Sequence, residues 1–344
     1  MHDLSDALSG DSTMRILDWK RIATAAAILL AVAGRAAALD TELDPALKPY
    51  AKVSGEVAGS LKCVGSDSMN NLVALWAEGF KKHYPAVREA IEGKGSSTAP
   101  PALIEGTASF GPMSRDWKPQ EIDDFKKKHG FAPTTLPVAI DMLAVFVHRD
   151  NPIKSLSLEE VDAIFSKNRK GGAKNDIVTW GDLGLGGEWK DKPIVLYGRN
   201  SASGTYLYFK ENALFKGDFK DTVKQQAGSA AVVQAIGGDK FGIGYSGIGF
   251  GTADVRALPL AAKKNGTVVV PEPKAAYEGE YPLSRFLWLS LAHKPGDKLD
   301  PLRREFLRYV LSADGQADVK KDGYLPVTAL VAGEALTKVG VTGP

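Results

Sequence analysis

Apolar residues along this chain fall in short runs that alternate with helically spaced ones. Leu61 to Val64 reads as a strand, and after a small polar turn Leu72, Leu75, Trp76 and Phe80 recur at the three- and four-residue spacing of an amphipathic helix. Val138 to Val147, Ile194 to Tyr197 and Phe286 to Leu291 are expected as further buried strands. Ser157-Leu158-Glu159-Glu160 is a capping box opening a helix that carries Val161, Ile164 and Phe165, and Pro301 stands in the first turn of a helix running to Ser312. Such alternation predicts an α/β fold with mixed, largely parallel sheets. At 344 residues, and roughly 100 to 200 per domain, two domains are the expectation.

The first forty residues follow a different pattern. Lys20 and Arg21 precede an apolar stretch from Ile22 to Ala33, and Ala36-Ala37-Ala38 places small residues at the −3 and −1 positions of a cleavage site. The stretch is shorter than the about 20 residues a bilayer-spanning helix needs. Residues 1–38 are therefore expected to be a secretory signal peptide, cut after Ala38, with Met14 a second candidate start, and the mature protein to be periplasmic. Cys63 lies too far from that site to be a lipid-modified first residue. No later apolar run is long enough to cross a membrane.

Charge and cysteine content narrow the chemistry. Forty-three Lys and Arg against 41 Asp and Glu leave a net charge of +2, no global field that would draw the protein onto nucleic acid or anionic lipid. An anion must instead be held by a local site. One cysteine excludes an intramolecular disulfide, and five scattered His (2, 83, 129, 148, 293) give no zinc-type spacing, so neither metal nor cofactor is expected.

Three strand-to-helix junctions share Gly, Ser and Thr: Gly65-Ser66-Asp67-Ser68-Met69, Gly93-Lys94-Gly95-Ser96-Ser97-Thr98 and Ser203-Gly204-Thr205. Each puts free backbone N–H groups, hydroxyls and the positive end of a helix dipole at one point. Singly, each is an ordinary N-cap; converged, they form an uncharged cage for a small oxyanion. Arg199, four residues ahead of Ser203, adds a guanidinium fork able to close over that anion with charge-assisted bonds. The loop lacks the Gly-Lys-Ser/Thr ending of a nucleotide-hydrolysing phosphate loop.

With these residues in view, the chain resembles the periplasmic phosphate-binding proteins of ABC-type phosphate transporters, a branch of the type II solute-binding proteins. The resemblance spans the mature chain. It rests on the loops above with Phe110-Gly111-Pro112-Met113-Ser114-Arg115, Arg199 to Thr205, Gly242-Ile243-Gly244-Tyr245, Tyr281-Pro282-Leu283 and Gly323-Tyr324-Leu325-Pro326. It implies two α/β domains joined by a two-strand hinge, one from residues 39–138 plus 259–344 and one from 139–258, with the ligand cleft between them. It also implies inorganic phosphate as ligand, a permease and ATPase in the inner membrane as partners, a monomer, and no enzymatic activity.

Carried over by position, the resemblance assigns ligand contacts to Ser68, Met69, Ser96, Ser114, Arg199, Ser203, Gly204 and Thr205. Two positions depart from the family pattern. The Asp that accepts the proton of hydrogen phosphate in the best-known members falls on Ser114, followed by Arg115, and the Asp that braces the arginine there falls on Ser201. Because sulfate lacks that proton, a buried acceptor separates the two anions. Asp67 and Asp141 are the candidate replacements, and Arg115 a candidate second donor. Two rival readings stay open: a receptor for sulfate, molybdate or an organophosphate on the same fold, and an exported phosphatase, which the absence of a metal cluster and of a nucleophile–His pair disfavours.

Overall fold

A computed structural model describes residues 41–341. The expected signal peptide and its cleavage at Ala38 lie outside the described residues.

In chain order the strands are β1 (Gly59–Val64), β2 (Val87–Glu92), β3 (Gly111–Met113), β4 (Thr134–His148), β5 (Leu156–Ser157), β6 (Val195–Arg199), β7 (Lys224–Gln226), β8 (Gly242–Gly247), β9 (Val255–Ala257), β10 (Leu260–Ala261), β11 (Val268–Val269) and β12 (Ser284–Leu291). The α-helices are α1 (Asn70–His83), α2 (Ala99–Ile104), α3 (Pro119–His129), α4 (Leu158–Phe165), α5 (Gly204–Asn212), α6 (Ser229–Gly237), α7 (Pro273–Tyr277), α8 (Pro301–Val310), α9 (Ala313–Lys321) and α10 (Ala329–Lys338). Local sequence accounts for several of them. Helix α1 buries Leu72, Val73, Trp76, Ala77 and Phe80 on one face and ends on Lys81, Lys82 and His83, which complement its dipole. Helix α4 carries the expected reciprocal cap, Ser157 Oγ accepting from Glu160 N and Glu160 Oε2 from Ser157 N. The helix expected to run from Pro301 to Ser312 stops at Val310, because Ser312 instead caps α9 by accepting from Gly315 N.

Strands β1 and β2 pair in parallel, and a seven-stranded sheet runs β3-β12-β4-β8-β6-β7 with β9 beside β4. The fold is α/β with mixed sheets, but the expectation of largely parallel pairing needs correction. Strand β6 is parallel to β7 and β8, whereas β4 is antiparallel to β8, β9 and β12, and β12 to β3. For β4 and β12 the reason is connectivity: they carry the chain out of one hydrophobic core and back, and adjacent outward and return passes run antiparallel.

That division is visible in the packing. One apolar cluster draws on Leu47 to Ala139 and Leu287 to Val341, a second on Ile140 to Leu283 with Leu325. The change of core falls inside β4, between Ala139 and Ile140, and again at β12, where Phe286 packs against both clusters. Leu260, Ala275, Ala276, Tyr281 and Leu283 pack in the second cluster. Trp76 and Trp180 are fully buried packing residues, and Cys63 is buried in β1, its thiol pushed up to about 12 by loss of solvent. No helix of the described residues is long and apolar enough to cross a membrane.

Candidate functional site

The loop after β1 is pinned at its base, Gly65 N donating to Glu92 O and Ser66 N to Pro112 O, so the chain enters α1 with Ser66, Ser68 and Met69 buried. The second loop makes a tighter approach. Gly95 has φ +115°, and a Cβ there would stand 2.5 Å from Ala202 O, so both conformation and space require glycine. Next to it Ser97 N donates to Ala202 O across 3.1 Å, joining the loop before α2 to the loop before α5. In the third loop Ser203 is the N-cap of α5, its Oγ accepting from Thr205 N and Tyr206 N.

These loops meet face to face. A Cβ on Gly204 would lie 2.3 Å from Ser96 Oγ and 2.6 Å from Ser114 Oγ. Ser96 Oγ accepts from Ser114 N at 3.0 Å, and Ser66 Oγ donates to Ser114 Oγ at 3.0 Å. On the other side Ser68 Oγ is 3.0 Å from Thr205 Oγ1 and 3.3 Å from Ser229 Oγ. All of these hydroxyls are buried. A hydroxyl rotates to donate or accept, so such a set can turn its protons toward an oxyanion without carrying charge.

Arg199 closes one side of the network. It ends β6, is buried, and donates from Nη1 to Ser229 Oγ at 2.6 Å and from Nη2 to Ala227 O at 3.3 Å, while Nη2 stands 3.1 Å from Asp67 Oδ2. Its Nε has no partner among the described residues. Burial lowers its pKa from the ordinary arginine value and nearby Arg285 acts in the same direction, while the Asp67 carboxylate opposes both. Tyr245, on β8, accepts from Arg199 N through its hydroxyl and fixes the end of β6.

Arg285 is the side chain of this network that sequence reasoning missed. It lies on β12 opposite Asp141 of β4, buried, and its guanidinium reaches four ways. Nε and Nη2 donate to Asp141 Oδ2 at 3.0 and 2.8 Å, Nη1 donates to Ser114 O at 2.8 Å, and Nη2 donates to Thr205 Oγ1 at 2.9 Å. One arginine thus ties β4 and β12 to the loops of both cores. Ser229, at the start of α6, was also missed, although Gly228-Ser229 before a helix repeats the junction pattern that marked the other loops.

Of the residues singled out from sequence, the structure brings Asp67, Ser68, Ser96, Ser114, Arg199, Gly204 and Thr205 into this network, with Met69 and Ser203 at the helix starts beside it. Asp141 joins through Arg285. Arg115 lies at the edge of the network: its Nη1 and Nη2 donate to Glu121 at 2.9 and 2.7 Å, while Nη2 also stands 3.4 Å from Ser97 Oγ in the second loop.

Comparison with known proteins places this geometry. The model of the PBP superfamily domain matches residues 51–314, and the chain is a solute-binding protein of that superfamily. The chain is 52% identical over 322 residues to the phosphate-binding protein PstS of Pseudomonas aeruginosa strain PAO1, covering 94% of this chain and 99% of that one. PstS of Staphylococcus epidermidis strain RP62A is 30% identical over 265 residues, covering 76% and 77%. A Clostridium perfringens substrate-binding protein assigned to a phosphate ABC transporter, solved with bound phosphate, superposes with a TM-score of 0.66 at 26% identity over 78% of this chain and 100% of its own. Within the superfamily, this chain belongs to the family of PstS phosphate-binding proteins.

Proposed function

We propose that this protein is an exported receptor that binds inorganic phosphate between its two cores and delivers it to an ABC-type importer, a permease with its ATPase, in the inner membrane. The domains are residues 41–139 with 284–341, and residues 140–283, joined by β4 and β12. The carrying observation is the convergence, in one buried network, of hydroxyls from five separate chain segments with the Arg199 guanidinium. Such a site offers many directed donors and little net charge. Arg199 and Arg285 are paired with Asp67 and Asp141, so an anion here is held by directed donors rather than by net positive charge.

In the mechanism, the first domain presents Ser68, Met69, Ser96 and Ser114, and the second Arg199, Ser203, Gly204 and Thr205. An anion gripped by both sets favours the closed arrangement because only closure completes its donors. Monomeric protein in the periplasm, released from its signal peptide at Ala38, then presents the closed form to the permease. Hydrogen phosphate also needs an acceptor for its proton. Asp67 is committed to Arg199 and Ser229, whereas Asp141 keeps a buried Oδ1 without a partner among the described residues, and takes that role. Calorimetric titration of refolded protein tests the reading: phosphate binds at micromolar or lower concentration and sulfate far more weakly. Sulfate binding as tight as phosphate, or no heat with either, overturns it.

A further inference from the structure

Resting on the phosphate-binding reading, we infer that Asp67 is a positioning residue that braces Arg199 from the opposite domain, so that the arginine is held in its anion-facing orientation only when the domains are closed. Asp67 stands in the loop between β1 and α1, on the first core's side of the cleft. Its Oδ2 is 3.1 Å from Arg199 Nη2 and accepts from Ser229 N at 3.1 Å, at the start of α6, where the helix dipole favours an anion. Both partners belong to the second core's side.

The second domain holds Arg199 by itself only through neutral acceptors, Ser229 Oγ and Ala227 O. Among the described residues, Asp67 is the one carboxylate within ion-pair distance of Arg199. The arginine's own loop supplies none: Asn200, Ser201 and Ala202 follow it, and Ser201 is exposed. Opening the cleft therefore separates a buried guanidinium from its counter-charge, and closing restores it. The ion pair acts as a latch on the bound state.

The sign of the effect separates this role from simple electrostatics. A carboxylate near an anion site repels the anion, so if Asp67 acted only through space, Asp67→Asn would tighten phosphate binding and speed association. A latch and brace predicts the reverse, with the change in dissociation. The experiment follows labelled phosphate leaving the protein by rapid filtration, with association measured separately, for wild type, Asp67→Asn and Asp67→Glu. The asparagine variant is expected to release phosphate about tenfold faster with association altered less than about threefold, since the pair is partly exposed. Asp67→Glu, which keeps the charge, recovers part of the loss. An asparagine variant that holds phosphate as tightly as wild type or more tightly, or loses affinity through slower association alone, overturns the inference while leaving phosphate binding intact. Absence of phosphate binding by the wild type overturns the proposed function and this inference with it.

Discussion

Asp141 in β4 and Arg285 in β12 are cross-strand partners at the point where the chain passes between its two cores, and both Nε and Nη2 of the arginine donate to one carboxylate oxygen. The same guanidinium donates to Ser114 O and Thr205 Oγ1, and its carbon lies 5.0 Å from the centre of the Tyr208 ring. Strands β4 and β12 and the polar loops at Ser114 and Thr205 therefore share one buried charge pair.

Breaking that pair on one side leaves the other charge buried without compensation. Asp141→Asn and Arg285→Met are each expected to cost about 3 to 5 kcal/mol of unfolding free energy, and the double variant less than the sum. Equilibrium denaturation of the four proteins measures the coupling; additive losses would show that the two side chains are energetically independent.

Gly204→Ala tests the closed arrangement directly. The added methyl would overlap Ser96 Oγ and Ser114 Oγ, which belong to the other side of the cleft, while its own helix tolerates alanine at the first position. Overpacking of about 1 to 3 kcal/mol should fall on closure, reducing phosphate affinity about tenfold to a hundredfold with little change in melting temperature. Unaltered affinity would mean that these loops do not close on the ligand.

A pH signature is expected at Asp322, just after α9. Burial raises its carboxyl to about 6, against the partial opposition of the Asn71 side chain. Between the ordinary carboxyl value of 3.8 and about 6, the folded protein holds a proton that the unfolded chain has released, so stability falls as pH rises through that window and is level above it. Asp322→Asn should remove the fall, gaining of order 1 to 2 kcal/mol at pH 7 relative to pH 4 after allowance for partial exposure. Denaturation curves at the two values check it, and an unchanged pH slope contradicts it.

Cys63 should ignore thiol reagents in the native state. It is buried in β1 and burial pushes its thiol up to about 12, so neither access nor thiolate is available at neutral pH. Labelling should appear only in denaturant, at the unfolding midpoint. Rapid labelling of folded protein would place the thiol at the surface.

How much of this was legible in the sequence depends on whether the signal was local. The Gly-Ser junctions at 65–69, 93–98 and 203–205 announce themselves because capping and turn chemistry are written in adjacent residues, and Arg199 stands close enough to the third to be noticed. The Ser157 cap and the α1 stripe are local for the same reason. Arg285 carries no such mark. It sits in an apolar strand, 171 residues from Ser114, and reaches it only through the register that sets it opposite Asp141. The bond from Arg115 to Glu121 was likewise hidden, since it depends on how the chain turns into α3. Asp67 was visible as a loop carboxylate, yet its partner is fixed only when α6 is brought across the cleft. The packing of Leu260 to Leu283 in the second cluster likewise has no local sign.

The most direct test is a crystal structure of the protein grown with phosphate. The anion should lie between the two cores with its oxygens within hydrogen-bond reach of Ser68, Ser96, Thr205 and the Arg199 guanidinium, and with Arg115 still on Glu121. Phosphate found elsewhere, or contacting one core alone with Arg199 turned away, would contradict the account.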